Sequence, residues 1–279
     1  MRTLGRFLVG LMICGFATLT FAEDQKPAAA PEILKASKVI GTKVLDKSGA
    51  EIGKIEELLF ASTEGKTLMA VLSGNDTVGK DRFFAIPFEG LKASKDKSLP
   101  TGDLKGFELV LDPKLLSGAP SFAKDQWPAA LDKPWQVSVY EFYHMKPSPN
   151  VDVSVKKEAV AEMNLYRVSQ LMGREVRNAQ DEKLGKIEDF AVDAEAARLP
   201  YSVLSFGGVL GVGDKFFAVP WHSLMLGPPT ANPSDQKIVV AVEKNRLKEA
   251  PGIDKDHWPA TPQTTLFGAP SGTARTSSR

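Results

Sequence analysis

Residues 81–87 read Asp-Arg-Phe-Phe-Ala-Ile-Pro, and residues 214–220 read Asp-Lys-Phe-Phe-Ala-Val-Pro. Upstream of these two stretches, residues 37–73 align without a gap on residues 169–205, at an offset of 132. Both aligned segments contain the run Gly-Lys-Ile-Glu at the same place. Collinear blocks of this kind do not arise by chance, so the chain contains one structural unit twice.

A third block of the repeat marks where each unit ends. Residues 124–128 read Lys-Asp-Gln-Trp-Pro, and residues 255–259 read Lys-Asp-His-Trp-Pro. We expect the two tryptophans, like the repeated phenylalanines, to belong to the core of each unit. The repeat predicts the following organisation: signal peptide 1–22, flexible segment 23–36, first barrel 37–128, linker 129–167, second barrel 168–259 and disordered tail 260–279.

The pattern inside each unit is typical of β-structure. Short runs rich in Val, Ile, Leu and Phe alternate with turn residues about every 8–12 residues, as in a small barrel or sandwich. Pro87 ends one such run because it cannot donate to a strand ladder. Asp112 and Pro113 suit the N-cap and first position of a helix, and Glu243 precedes the equivalent helix. The sequence therefore predicts an all-β fold of two small barrels in tandem, each followed by a short helix.

The repeated phenylalanines predict how the barrels pack. Phe83 and Phe84 are adjacent on a predicted strand, as are Phe216 and Phe217. Adjacent strand residues point to opposite faces of a sheet. We therefore expect both rings of each pair to be buried, one inside the barrel and one under an external element.

The second copy resembles the PRC-barrel family, which is named after the cytoplasmic domain of the photosynthetic reaction-centre H subunit. Residues 171–176 (Leu-Met-Gly-Arg-Glu-Val) and 184–189 (Leu-Gly-Lys-Ile-Glu-Asp) resemble the first two strands of the family. Residues 207–214 resemble its glycine-rich turn, and residues 216–221 its strand ending in Val-Pro-Trp. The first copy differs in this turn and has Phe88 where the second has the tryptophan. The resemblance implies two PRC-type barrels in a module for assembly or docking.

Composition excludes several classes of protein. The 279 residues are 43% hydrophobic and 25% charged, which excludes a multi-span membrane protein. The formal net charge is +1, so no basic field is available to hold nucleic acid. One cysteine excludes an intrachain disulfide framework, and three histidines argue against a multi-histidine metal centre. We expect neither a cofactor nor a metal ion.

The N-terminus has the order of a secretory signal peptide. Arg2 and Arg6 precede an apolar stretch at residues 7–16, and Ala22 supplies a small residue before a cleavage point. We expect residues 1–22 to be removed and the protein to be exported to the periplasm or secreted, without a stable membrane anchor. The alternative is an uncleaved anchor helix, for which the apolar stretch is short.

The linker between the units is unusually aromatic, and it also contains three prolines. Its aromatic residues either pack between the barrels or form a docking patch for a partner: Trp135, Tyr140, Phe142 and Tyr143. Residues 156–163 are one further helix candidate. In the tail, 15 of the 20 residues from 260 to 279 are Ala, Thr, Ser, Gly or Pro, which is typical of disorder.

Three patterns could indicate chemistry, but each has a simpler explanation. The glycines from 207 to 213 precede a strand rather than a helix, which favours a hairpin turn over a phosphate loop. Asp254, Asp256 and His257 have no matching ligand set in the first copy. Glu141 and His144 would share a face only in a helix. We therefore predict no catalytic, cofactor-binding or metal-binding residues.

These observations favour a non-enzymatic periplasmic or secreted module that binds a protein partner. The alternative is a small-ligand-binding protein or enzyme with its site in the cleft between the barrels. The cleft itself distinguishes the two hypotheses. A pocket lined by Glu141, Tyr143 and His144 favours a ligand site, whereas a filled apolar seam favours the interaction module.

Overall fold

The computed structural model describes residues 32–61, 68–76, 78–95, 104–127, 133–145, 164–207, 213–229, 232 and 235–267. These described residues form one compact unit that contains both copies of the repeat. The predicted signal peptide and the helix candidate at 156–163 lie outside the described residues.

The first copy is built from short strands, with three brief helical turns between them. In chain order its elements are β1 (Ile33–Lys35), α1 (Ala36–Val39), β2 (Lys43–Leu45), β3 (Glu51–Ala61), β4 (Leu68–Gly74), β5 (Arg82–Pro87), the 3-10 turn η1 (Phe88–Gly90), β6 (Leu91–Lys95), β7 (Leu104–Leu109), α2 (Pro113–Leu116) and β8 (Ser121–Ala123).

A longer helix, α3 (Lys133–Met145), follows the first copy, and the second copy then repeats the first. Its elements are β9 (Leu165–Arg167), α4 (Val168–Leu171), β10 (Glu175–Arg177), β11 (Lys183–Asp193), β12 (Tyr201–Phe206), β13 (Lys215–Pro220), the 3-10 turn η2 (Trp221–Ser223), β14 (Leu224–Leu226), β15 (Ile238–Val240) and α5 (Lys244–Glu249).

Each copy forms one curled sheet. The strand order is β6-β7-β2-β3-β4-β5-β8 in the first copy and β13-β12-β11-β10-β15-β14 in the second. The three-residue turn η1 joins β5 to β6, which lie near opposite ends of the first sheet, so the sheet has to wrap around on itself. The turn η2 does the same between β13 and β14. The predicted all-β fold with short helices is confirmed.

The short helix after each barrel begins where the sequence predicts. Asp112 caps α2 by accepting a hydrogen bond from the backbone N–H of Lys114 at 3.0 Å, and Pro113 occupies the first turn. In the second copy, α5 begins directly after Glu243. Within the described residues, no helix is both long and apolar enough to cross a membrane.

The strand register supports the duplication residue by residue. Pro87 lies opposite Met69 in the first copy, and Pro220 lies opposite Tyr201 in the second. Met69 and Tyr201 are 132 residues apart, the same offset that aligns the two sequences. The repeat therefore extends from the sequence to the pairing of the strands.

The expectation for the phenylalanine pairs is confirmed for three of the four rings. Phe83, Phe84 and Phe217 are 8%, 3% and 0% exposed. Phe216 is only half-buried, and the prediction was wrong in degree for this ring. Its cover is a single β-bridge to Ile253, whereas the same place in the first copy has the full strand β8.

The linker contains α3, a helix of 13 residues that the sequence patterns did not predict. Pro134 lies in its first turn, where the missing N–H costs nothing, and the rest of the helix contains no proline or glycine. Val139 and Tyr143 lie one turn apart, and both are buried in the core. Pro134 is thus compatible with the helix.

Both outer boundaries of the packed region also differ from the prediction. β1 and Ala36 belong to the segment expected to be flexible, yet β1 is paired with another strand. At the other end, Phe267 is 1% exposed, and Gln263 exchanges two 3.0 Å hydrogen bonds with the backbone of Ala218. The small-residue composition of the tail concealed Gln263, which binds β13, and the buried Phe267.

Candidate functional site

The two copies exchange their N-terminal segments. We call residues 33–39 (β1 and α1) the first arm and residues 165–171 (β9 and α4) the second arm. β1 pairs antiparallel with β11 of the second copy, and β9 pairs antiparallel with β3 of the first copy. Each arm therefore adds a strand to the sheet of the other copy, and the exchange is reciprocal.

A buried carboxylate receives each arm. Glu57, which is 0% exposed, accepts hydrogen bonds from the backbone N–H of Ser169 and from Nε of Arg167, both at 3.0 Å, and from the Ser169 hydroxyl. Asp189 is the equivalent residue of the second copy. It accepts from the backbone N–H of Ser37 at 3.1 Å and from the Ser37 hydroxyl. Because a buried carboxylate needs several donors, these contacts fix where each arm lies.

A β-bulge positions each carboxylate. The pairing register shifts between Ile55 and Glu57 in β3 and between Ile187 and Asp189 in β11. An extra residue in one strand re-aims the neighbouring side chain. Each carboxylate also accepts the N–H of the residue that follows it, at 3.0 Å for Glu57 and 2.7 Å for Asp189. The bulge therefore belongs to the structure that receives the arm.

The electrostatics of the two carboxylates differ. Glu57 forms an ion pair with Arg167. The basic residue at the same position of the first arm is Lys35, whose Nζ donates instead to the backbone O of Lys255 at 2.8 Å. Burial raises the pKa of the Asp189 carboxyl, against the opposing effects of the Ser37 hydrogen bonds and the positive charge of Lys35.

The repeated tryptophans provide a platform for the basic residue of the opposite arm. The Arg167 guanidinium lies 3.7 Å from the ring centroid of Trp127, and the Lys35 ammonium lies 4.9 Å from that of Trp258. The sequence predicted both rings to lie in the core, but both are only half-buried. Such cation–π contacts add to the attachment of both arms.

Aromatic rings fill the seam between the copies. Phe60 of the first copy stacks on Tyr166 of the second arm with centroids 5.6 Å apart, and its centroid lies 4.8 Å from that of Trp221. Trp221 in turn stacks on Phe190 at 5.9 Å. One continuous cluster of buried apolar residues runs through both copies. This arrangement matches the filled apolar seam rather than a ligand pocket at the centre of the interface.

The aromatic residues predicted for docking all lie on α3. Tyr140 and Tyr143 are buried, and Trp135 and Phe142 are half-buried. The Trp135 ring lies edge-on to Phe122 of the first copy, with centroids 5.7 Å apart. Burial raises the pKa of the Tyr143 hydroxyl. This placement favours intramolecular packing, which was the other interpretation of these residues.

The remaining sequence candidates are not brought together. Glu141 lies on α3, and the side chain of His144 lies outside the described residues. Asp254 accepts the backbone N–H groups of Asp256 and His257 at 2.7 and 2.9 Å, which is a turn on the protein surface. Among the described residues, no three His, Cys, Asp or Glu side chains are grouped so as to hold a metal ion.

Gly207 and Gly213 flank the glycine-rich turn, and both have φ near +81°, which favours glycine. β12 ends before this turn and β13 begins after it, with all six residues of β12 paired to those of β13. The hairpin interpretation of these glycines therefore fits. Residues 208–212 lie outside the described part of the chain.

The residues that hold the arms were not singled out from the sequence, although a signal was present. The alignment at offset 132 matches Ser37 with Ser169 and places an acidic residue at both 57 and 189. Two residues before each serine it places a basic residue, Lys35 or Arg167. A sequence pattern alone does not say that these residues act on the opposite copy.

A family model described as the PRC-barrel domain matches the chain twice, at residues 31–99 and 163–244. Together the two matches cover more than half of the chain, and each begins close to an arm. The chain belongs to the PRC-barrel family and contains two such domains in tandem. No curated protein has a sequence similar enough to match it.

Proposed function

We propose that the chain is a non-enzymatic interaction module that acts outside the cytoplasm, in the periplasm or as a secreted protein. Its two barrels act as one rigid unit that binds or organises a protein partner. The observation that carries this proposal is the reciprocal arm exchange. Since the buried carboxylates of the interface are used to hold the arms, the centre of the molecule serves stability, and the outer surfaces remain for partners.

The packing of the seam argues for this proposal over a ligand site at the same place. An enzyme or a small-ligand carrier needs polar groups that converge on an open space. Between the copies, aromatic rings lie within van der Waals reach of one another, and the charged groups nearby already have partners. A fixed spacing between two barrels is instead a property that suits assembly.

Export is tested by intact-mass measurement of the protein recovered from the cell envelope or the medium. We expect a mass that lacks residues 1–22, because the charged, apolar and small-residue regions occur in the order of a cleavable signal. A recovered mass that includes these residues would contradict the proposal.

Partner binding is tested by mild cross-linking in intact cells that make the protein, followed by purification through a C-terminal tag. The matched variants are Glu57→Ala, which removes the acceptor for the second arm, and Glu56→Ala, which changes an exposed neighbour on the same strand. We expect one partner in a fixed ratio with the wild type and with Glu56→Ala, and less of it with Glu57→Ala. The absence of any partner in a fixed ratio with the wild type would overturn the proposal.

A further inference from the structure

A groove with a volume of about 510 Å³ lies where the first arm, β6, β7 and the turn after β11 meet. Lys95 of β6 forms an ion pair with Glu32 at its rim. The walls come from both copies of the repeat, so the groove exists only because the arms are exchanged. Six of the lining residues are apolar, namely Leu34, Leu91, Ala93, Leu104, Val110 and Ala194, and the other five are charged, namely Glu32, Glu89, Lys92, Lys95 and Glu195.

The second half of the molecule shows what fills the equivalent space. There, Tyr166 of the second arm is 3% exposed and stacks on Phe60 with centroids 5.6 Å apart. Its hydroxyl donates to the backbone O of Gly227, just after β14, at 3.1 Å. The tyrosine ring thus occupies the position between the second arm and β14, the end strand of the second sheet.

The first half lacks both of these rings. The residues at the positions of Tyr166 and Phe60 are Leu34 and Val192, which lie opposite each other in the pairing of β1 with β11. Two aliphatic side chains therefore replace two aromatic ones in an otherwise repeated framework. The space that an aromatic ring fills in the second half is therefore open in the first half, and the apolar part of its lining suits an aromatic ring from another source.

The neighbouring strand can bind the backbone that would carry such a ring. β6 is the end strand of the first sheet, and among the described residues it pairs only with β7. An end strand with an open edge can accept an extended peptide as an additional strand, while a pocket beside it accepts one side chain. The groove is lined by Leu91 and Ala93 of this same strand.

We propose that this groove is a docking site for an extended segment of a protein partner that inserts a tyrosine or phenylalanine ring beside Leu34. The inference rests on the proposed function, because it names the feature by which the partner is recognised. The edge of β6 binds the backbone of the partner, and the apolar lining binds the ring.

The first experiment probes the groove with p-cresol, the side-chain analogue of tyrosine, by NMR titration of the full mature chain. We expect shifts of the Leu91, Ala93 and Val110 amides in the wild type and in the control Leu34→Ile. We expect these shifts to be lost in Leu34→Tyr, which fills the groove as Tyr166 fills its counterpart. Ala93→Phe fills the groove from the opposite wall and serves if Leu34→Tyr does not fold. The absence of groove shifts in the wild type would overturn the proposal.

The second experiment repeats the partner capture with the same variants. We expect Leu34→Tyr to lower the amount of captured partner at least tenfold, whereas Met225→Tyr on the exposed surface of β14 leaves it unchanged. Equal capture by the wild type and Leu34→Tyr overturns the docking proposal, even if p-cresol binds, and assigns the groove to a free aromatic molecule. Capture of no partner by the wild type overturns the proposed function itself.

A third experiment tests whether the chain's own N-terminal segment occupies the groove. We compare the groove amides of the mature chain with those of a variant that lacks residues 23–31. Unchanged amide shifts support an external occupant. Shifts confined to the groove lining would show that this segment is the occupant, which would overturn the proposal.

Discussion

Glu57 and Asp189 are buried acidic residues, only 0% and 4% exposed. Each one accepts a backbone N–H and a hydroxyl from a serine of the opposite arm. Burying a carboxylate is costly unless its oxygens accept hydrogen bonds. An arm that detaches therefore removes donors from the buried carboxylate of the other copy and destabilises that copy. The two residues thereby make correct arm placement a condition for stable folding.

Replacing Glu57 with Ala is expected to be strongly destabilising. The change leaves the Arg167 guanidinium and the Ser169 donors without their acceptor, and breaking a buried pair in this way costs about 3–5 kcal/mol. Urea unfolding followed by circular dichroism measures the loss. The control Glu56→Ala is exposed on the same strand and should change the free energy of unfolding by less than about 0.5 kcal/mol. Equal effects of the two substitutions would contradict the role of Glu57.

Asp189 predicts a pH dependence of stability. Its pKa is raised in the folded protein, mainly by burial, so the folded state binds the proton more tightly than the unfolded state. The stabilising contribution of protonated Asp189 to the free energy of unfolding is therefore complete below the ordinary pKa of aspartate. It is lost as pH rises through the raised pKa of the folded protein. We expect the stability of the wild type relative to Asp189→Asn to fall as pH increases across this window.

The measurement for Asp189 is chemical unfolding of the wild type and Asp189→Asn at several pH values from the acid side to neutrality. Glu188→Gln, one residue earlier on β11, is the matched control, and its stability difference from the wild type should vary less with pH. A difference for Asp189→Asn that grows as pH rises would contradict the prediction.

At the scale of elements, each barrel depends on what covers its β5 or β13 strand. β8 pairs along β5 in the first copy, and α3 packs beside it. In the second copy the cover is thinner: the single bridge from Phe216 to Ile253, followed by the hydrogen bonds of Gln263 to Ala218. Covering the edge of a sheet prevents unwanted pairing with other chains. The same strand is therefore protected by different segments in the two copies.

This difference predicts unequal effects within one phenylalanine pair. Phe217→Ala removes a ring with 0% exposure and should cost about 3–5 kcal/mol. Phe216→Ala removes a half-buried ring under Ile253, so its cost should be clearly smaller. Thermal unfolding of both variants checks the order. In the first copy, Phe83→Ala and Phe84→Ala are expected to be closer to each other, because both rings are buried.

At the scale of the whole molecule, the chain has the arrangement of a two-fold dimer whose subunits are joined into one polypeptide. Three kinds of contact at the interface occur in both directions at the same repeat positions: arm with sheet, serine with carboxylate, and cation with tryptophan. An isologous interface in a homodimer has this reciprocity. Since buried apolar residues form one cluster through both copies, we expect both barrels to unfold in a single transition.

Cutting the connection between the barrels tests this arrangement. A specific protease site placed between residues 146 and 163 allows the folded chain to be cleaved after purification. We expect both fragments to elute together on size-exclusion chromatography under native conditions, because the arms and the seam hold them without the linker. The same site in a Glu57→Ala background should give fragments that separate more readily. Fragments that separate at once in the otherwise wild-type protein would contradict the interlocked arrangement.

The sequence by itself determined the duplication, the all-β fold and the short helices, because these depend on local features. Strand runs bounded by turns, Pro87 at a strand end and Asp112 before Pro113 all act within a few residues. It also identified the phenylalanine pairs, since the period of two along a strand decides which face a ring points to.

Only the tertiary structure decided which copy each arm joins. A three-residue strand such as β1 carries no local information about its partner, and the same Ser37 would suit a carboxylate in either copy. The choice depends on residues more than 100 positions away in the sequence. These are Asp189 at the bulge of β11, which binds Ser37, and Trp258, whose ring contacts Lys35. The aromatic residues of α3 are a second case. Their exposure depends on whether a neighbouring surface covers them, and Phe122 belongs to a separate strand that no local pattern links to Trp135.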